Sequence, residues 1–352
     1  MGKNTMAQST TAGMTAAGMT AAGMAAGMAA GMMGAMPDKL EQPQFDNPFT
    51  LDDLLVFDEA TLGAMIADGA FGLTGETLAR GLHGAHPAVI ERVRRALPVE
   101  RRRRFFTLLR RPLADDAVLA ARQCLLDNLF WELTYWKTPD LYEALTEGEH
   151  LHPGIFRQLA PDLYGAVVLD AGAGAGRATF ACLGAGAGRV YAVEPSPGLL
   201  RILERKLTEQ PPDRQVIPLQ GRFDALPLLD GSVDVALSCS AFTAAHEQGG
   251  ERGLAELWRV TRPGGKIVII WPRREDRAWL SAHGFHYEVL PMGRQMWVRY
   301  RSLSVALSCA RRFYAHNERM RRYLLRAHTP DVPFSVLGVN PPCDYCWLRV
   351  TP

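Results

Sequence analysis

Between residues 49 and 145, apolar positions recur at helical spacing, in LDDLLVFDEATLGAMIADG, GETLARGLHG, PAVIERVRRALP and DDAVLAARQCLLDNLFWELTYW. A three-to-four repeat of this kind gathers apolar side chains on one helical face. Breaks containing Gly or Pro separate the runs, and Thr50 before Leu51 and Thr74 near Glu76 stand where caps belong. The pattern predicts a stack of short helices joined by tight turns. From about Gly154 the period changes. VVLDA (167–171), RVYAVEP (189–195), QVIPLQ (215–220), VDVALSCS (233–240) and KIVIIWP (266–272) are short runs rich in Val, Ile and Leu. Helical patterns lie between them: ATFACLGA, PGLLRILERKLTE and GGERGLAELWRVTR. Strand alternating with helix predicts an α/β fold, its parallel sheet wound by right-handed crossovers and covered on both faces. Beyond the fifth strand, WPRREDRAWLSAHGFHYEVLP reads as a helix and a sixth strand. Residues 301–328 read as a long basic helix or a pair, inserted before a terminal strand YCWLRV (345–350).

The chain has 352 residues, enough for two domains. Its N-terminus follows a different rule. Residues 10–37 are built from Ala, Gly, Met and Thr without a charge, apart from the closing proline. The stretch is long enough to cross a bilayer, and Gly23, Gly27 and Gly31 have the spacing of close-packed membrane helices. It lacks Leu, Ile, Phe and Val, the residues that drive insertion, and is too weakly apolar for a signal peptide. Each glycine also costs ~1 kcal/mol in an exposed helix. Residues 1–48 are therefore read as a disordered tail and linker. A membrane or partner-binding helix and soft-metal binding through methionine are the alternatives.

Charge changes the picture little. The net charge is +2, so no global field demands nucleic acid or an acidic surface. The run ERRRRFFTLLRRP (100–112) reads as a solvated helix face; docking to an acidic partner is the alternative, and no base-reading element accompanies it. Six cysteines without a framework fit a reducing cytoplasm. CDYC (343–346) has CxxC spacing but no second pair to complete a zinc site, and His150 and His152 suit a helix start better than a metal. No metal is predicted.

The chemistry concentrates in VVLDAGAGAGRATFACLGAGAGRVYAVEPS (167–196), where GAGAGR occurs twice. The first copy follows a strand and opens a helix, the place where open α/β sheets bind ligands. The second closes that helix, where glycines supply positive φ. Two ligands suit the first loop, a dinucleotide or S-adenosylmethionine. Counting from Gly172, the third glycine of a dinucleotide fingerprint falls on Arg177. Asp170 at the strand end repels a pyrophosphate but favours a cationic ammonium and sulfonium. Glu194, at the end of the second strand, is placed to accept ribose hydroxyls and is neutral between the two cofactors.

VVLDAGAGAGRATF, VYAVEPSPGLL, LQGRFDALPLLDGSVDVAL and ELWRVTRPGGKIVII, in this order and spacing, resemble a class I S-adenosylmethionine-dependent methyltransferase of the ubiquinone/menaquinone-biosynthesis type. The likeness covers about residues 140–272. It implies a Rossmann-like, doubly wound seven-stranded sheet. It also implies a donor site of Asp170, Ala171, Gly172, Gly174, Gly176, Glu194 and Pro195, with Ser238 after the fourth strand and RPGG (262–265) turning the chain into the fifth. The family often carries an acidic residue after the glycine equivalent to Gly221, where it meets adenine. Here Arg222 stands there, followed by Phe223 and Asp224, so Phe223 is a candidate to stack on adenine and Asp224 to replace the carboxylate. A tyrosine-bearing segment closes over the cofactor in the family, and Tyr142 is the matching candidate. Residues 49–140 resemble the C-terminal helical domain of the flagellar motor switch protein FliG in DDLLVFDEATLGAMI, ETLARGLHGAHPAVIERVRRALPVERRRRFF and the helix from Asp115. That resemblance implies a protein-contact module. The methyltransferase domain is then expected over 141–352, with the insertion at 301–328.

Methyl transfer needs alignment first and a base only when the acceptor arrives protonated. SCSAFTAAHEQ (238–248) faces the transferred group in this fold, which makes His246 the first candidate base and Glu247 the second. Trp131 and Trp136 read as helical core that can also line an acceptor pocket. The arginines of the insertion (Arg311, Arg312, Arg319, Arg321, Arg322) read as solvated, with an anionic acceptor or a membrane surface as alternatives. The expected acceptor is a small molecule, with a protein partner possible through 49–140 and neither nucleic acid nor membrane called for. A donor-binding scaffold without transferase activity and a nicotinamide-dependent oxidoreductase are the rival readings.

Overall fold

The computed structural model describes residues 45–67, 69–209 and 215–351. The Gly/Met/Ala stretch lies outside them. After a 3-10 turn at Leu51–Val56 come α1 (Glu59–Met65), α2 (Gly75–Gly81), α3 (Pro87–Ala96), α4 (Val99–Leu109), α5 (Asp115–Asn128), α6 (Phe130–Lys137) and α7 (Pro139–Thr146). The caps sit where the sequence puts them. The Thr50 N–H donates to the Asp53 carboxylate at 2.7 Å, and the Thr74 hydroxyl accepts from the Thr77 N–H at 3.0 Å. Then α8 (Pro153–Leu163), begun by His152 accepting the Gly154 N–H, leads into the sheet.

The sheet follows from the alternating pattern. Its elements are β1 (Val167–Ala171), α9 (Arg177–Gly184), β2 (Arg189–Glu194), α10 (Pro197–Thr208), β3 (Val216–Gln220), β4 (Val233–Cys239), α11 (Gly250–Val260) and β5 (Thr261–Ile270). They continue with α12 (Arg277–Ala282), β6 (His286–Val289), β7 (Trp297–Arg299), α13 (Leu303–Phe313), α14 (Glu318–Ala327), β8 (Asp331–Pro333), α15 (Phe334–Leu337) and β9 (Asp344–Arg349). Seven strands lie in the order β3-β2-β1-β4-β5-β9-β6. The first five pair in parallel, and β9 enters antiparallel between β5 and β6. The order reverses between β1 and β4, which leaves a crevice at their carboxyl ends.

Two local features depart from the expected pattern. RPGG does not precede the fifth strand but lies inside it, as a bulge where the register shifts between Val233 and Val235. Gly264 takes φ +76° there, and a Cβ on Gly265 would fall 2.6 Å from Thr261 Cγ2. A second, two-stranded sheet of β7 and β8 flanks the inserted helix pair. Three-residue strands are too short to show a period of two.

One apolar core joins the helical segment to the sheet. Phe45 stacks on Phe130 at 3.8 Å, Phe130 meets Trp131 edge-on at 5.2 Å, and Trp131 stacks on Phe313 of α13 at 5.5 Å. The first helices and the late insertion thereby close on each other beside the carboxyl end of the sheet. Among the described residues no helix is long and apolar enough to cross a membrane.

Candidate active site

The turn after β1 is held by its own backbone. The N–H groups of Gly172 and Ala173 both donate to the Val193 carbonyl, at 2.8 and 3.0 Å. Gly172 has φ +72°, and a Cβ there would lie 2.5 Å from Ala241 Cβ, so only glycine fits. Gly174 (φ +56°) faces open space. Gly176 begins α9 at φ +97°, packed so closely that a Cβ would meet Leu203 Cδ1 at 2.6 Å. The second GAGAGR ends α9 and turns back at Gly186 (φ +89°), which is connection alone.

Two cavities open above this turn. The first, about 930 Å³, is walled by Gly172, Gly174, Glu194, Pro195 and the Arg222–Asp224 segment on the sheet side. Across from them stand Met65, Phe71, Glu132, Tyr135, Trp136 and Tyr142 from the helical segment. Glu194 is buried, and its carboxylate accepts the Gly174 N–H and the Ser196 N–H, each at 2.9 Å. Ser196 in turn donates to the Tyr135 carbonyl at 2.7 Å and caps α10 through the Leu199 N–H. This chain of bonds ties the EPSP turn to α6. The second cavity, about 780 Å³, shares Tyr135, Tyr142 and Ser240 with the first and extends toward the ends of β4 and β5.

The two sequence candidates for a base occupy different settings. His246 and Glu247 both line the first cavity. His246 is exposed, whereas Glu247 accepts the Phe71 N–H at 2.9 Å and so docks the helical segment onto the loop after β4. Arg222 pairs with Asp224 at 3.2 Å, and half-buried Phe223 meets Phe242 edge-on at 5.4 Å.

Four of the residues named for the donor, Asp170, Ala171, Gly176 and Ser238, line neither cavity. Ala171 is buried inside β1, and Gly176 serves the packing of α9 against α10. The fully buried Ser238 hydroxyl accepts the Phe242 N–H at 3.1 Å, and Ser240, two residues on, is the one that reaches the cavities. Residues two apart on a strand share a face, so alternation does not separate these serines; Ser240 stands just past the end of β4 at φ +58°, where the chain has left the sheet. Asp170 is fully buried, takes a 2.6 Å hydrogen bond from the Thr179 hydroxyl and lines a third space beneath the turn with Arg177 and Lys206. Its other carboxylate oxygen has no hydrogen-bond partner among the described residues.

Burial governs the electrostatics. Desolvation pushes Glu194 and Glu132 up to about 7, and Asp170 up to about 6. Arg222 works against this at Glu132, and the backbone N–H groups work against it at Glu194. Glu194 and Glu132, which share the first cavity with Arg222, make a site that a cationic ligand would complete.

The sequence reading missed Glu132, Glu149 and Arg177. Glu149 is buried against Arg177, which donates to it at 2.7 Å and reaches Ser240 Oγ at 3.1 Å. Burial raises Glu149 to about 7, with Arg177 opposing. No spacing rule joins Glu132 or Glu149 to a glycine turn further along the chain. Arg177 was in view as the last letter of its motif, but its partner was not. The cysteines of CDYC are both buried and unbridged, and no metal-binding group of His, Cys, Asp and Glu occurs among the described residues.

Residues 168–265 match a family described as a methyltransferase domain. An uncharacterised methyltransferase of Mycobacterium tuberculosis is 36% identical over 118 residues, covering 33% of this chain and 44% of that protein. A demethylmenaquinone methyltransferase of Renibacterium salmoninarum is also 36% identical over 118 residues, covering 32% and 46%. The chain thus spans under half the length of these curated relatives. A solved structure of a SAM-dependent methyltransferase from Aquifex aeolicus aligns with 23% identity and a TM-score of 0.36, over 44% of this chain and 93% of that one.

Proposed function

We propose that this chain, whose residues 168–265 form the core of a class I S-adenosylmethionine-dependent methyltransferase domain, transfers a methyl group to a small-molecule acceptor across the junction of its two cavities. The observation that carries the reading is the pairing of the cavity-facing Gly172/Gly174 turn with buried Glu194 in a space short of positive charge. The residues present suit the cofactor. Gly174 leaves open the space a side chain would fill, where the amino-acid end would lie, Glu194 is placed for the ribose hydroxyls, and the half-exposed Phe223 edge for adenine. Bound there, the cofactor supplies a methyl carbon activated by a sulfonium.

The protein's own part is alignment and exclusion of water, and a well-oriented pair can be worth ~7–11 kcal/mol. Tyr135, Tyr142 and Ser240 border both cavities, so they set the direction in which donor and acceptor meet. The helical segment acts as the wall of this site through Phe71, Glu132 and Trp136. His246, at the exposed rim, and Glu247 remain the candidates to relay a proton outward.

Incubation of the purified protein with methyl-labelled S-adenosylmethionine and cell extract should transfer label to small molecules. S-adenosylhomocysteine should raise the melting temperature, and NAD should not. A scaffold would show the thermal shift without label transfer, and an oxidoreductase would respond to NAD instead.

A further inference from the structure

We propose that the second cavity is the acceptor site and takes a planar aromatic acid bearing a ring hydroxyl, its carboxylate toward Arg274 and its hydroxyl toward Glu149. This inference rests on the methyl-transfer reading, because it treats the first cavity as the donor's.

The walls come first. Trp131, Tyr135, Tyr142, Phe242 and Trp271 line this space, which opens to solvent. Flat aromatic walls favour flat aromatic ligands, through stacked and edge-on contact beyond simple burial. The charges come next. Four arginines and two carboxylates line the cavity. Arg177 is held by Glu149 at 2.7 Å, and Arg277 by Asp344 at 2.6 Å. Arg273 is held by Asp276 at 2.6 Å and lies 3.8 Å from Glu275. Arg274 has no ion pair among the described residues and is exposed, so it is the positive charge left for an anionic ligand. At the side shared with the donor cavity stand Ser240 and its partner Arg177, which holds Glu149.

Two further observations mark the cavity as built for a ligand. Ser240 and Trp271, at the ends of the adjacent strands β4 and β5, both take left-handed backbone conformations, with φ +58° and +55°. Such strain is retained where the surroundings impose it, typically at functional sites. Both residues grip Arg177, whose guanidinium lies 5.6 Å from the Trp271 ring centroid. Buried polar atoms tell the same story. Trp131 Nε1, Arg277 Nε and Asp344 Oδ1, all on lining residues, have no hydrogen-bond partner among the described residues. Buried polar groups are seldom left unsatisfied.

The test is calorimetry on the full-length protein saturated with S-adenosylhomocysteine. The probes are 6-hydroxy-2-naphthoate, its neutral primary amide, and 2-naphthoate, which lacks the hydroxyl. The hydroxy acid should bind most tightly, with each of the others at least about fivefold weaker. Arg274→Glu, an exposed change outside the donor cavity, should weaken the hydroxy acid about tenfold and erase its advantage over the amide, while S-adenosylhomocysteine affinity stays unchanged. Equal binding of acid and amide overturns the proposal. So does an Arg274→Glu variant with undiminished affinity, or displacement of the probe by S-adenosylhomocysteine. If S-adenosylhomocysteine binds and no naphthalene does, this inference fails alone. If S-adenosylhomocysteine does not bind, the methyl-transfer reading fails, whatever the naphthalenes do.

Discussion

Single side chains carry the electrostatic argument. Glu194 is buried and sits at about 7, so near neutral pH a large share of it is protonated without ligand. To accept two ribose hydroxyls it must be ionised. Donor affinity should therefore rise with pH between 6 and 8 and level off above, as measured by calorimetry across that range. Glu194→Gln should cost about 10- to 100-fold in affinity, since hydrogen bonds to a charged acceptor are worth roughly 1.5–3 kcal/mol, and should flatten the pH dependence. Gly172→Ala is a steric counterpart. Its Cβ would collide with Ala241 at a backbone φ of +72°, so S-adenosylhomocysteine should no longer raise the melting temperature of that variant.

At the scale of elements, the contacts that shape the site run between segments far apart in sequence. Ser196 caps α10 and also donates to the Tyr135 carbonyl on α6. Ser196→Ala should lose roughly 1–3 kcal/mol in urea denaturation, through the lost cap and the stranded carbonyl. It should also weaken donor binding, because Tyr135 borders the donor cavity. Phe313 of the inserted α13 is almost fully buried against Trp131 and Phe130. Phe313→Ala should cost about 3–5 kcal/mol by the same measurement, as expected for a large core truncation.

The whole molecule stores a cost in its buried carboxyls. Asp170, Glu132, Glu149 and Glu194 all bind protons more tightly folded than at their ordinary values near 4. The stability gained from their protonation is full below about pH 4 and is lost as pH rises through about 6–7. Urea midpoints should accordingly fall between pH 5.5 and pH 8. Saturating S-adenosylmethionine should make that fall shallower, because a cation in the cavity favours the ionised carboxylates. A midpoint that rises steadily over this interval would remove the electrostatic account of the site.

Patterns with a short range were readable from residues alone. The three-to-four repeat marked the helices, and short continuous apolar runs marked strands buried on both faces of the sheet. That Gly172, Gly174 and Glu194 share one cavity was legible because β1 and β2 are neighbouring strands joined by a single crossover, which brings the turn after β1 beside the end of β2. Ser238 was read in place of Ser240 because strand facing depends on where the chain leaves the sheet. Glu132, Glu149, Arg274 and Trp271 acquire meaning only when α6, the end of α7 and the tips of β4 and β5 surround two adjoining cavities. The sequence by itself determined the sheet, the glycine turn and the acid that follows it, because local periodicity and backbone geometry suffice for those. Tertiary structure alone decided which charges are left uncompensated and which aromatics share a wall, because desolvation and packing depend on neighbours that chain order does not name.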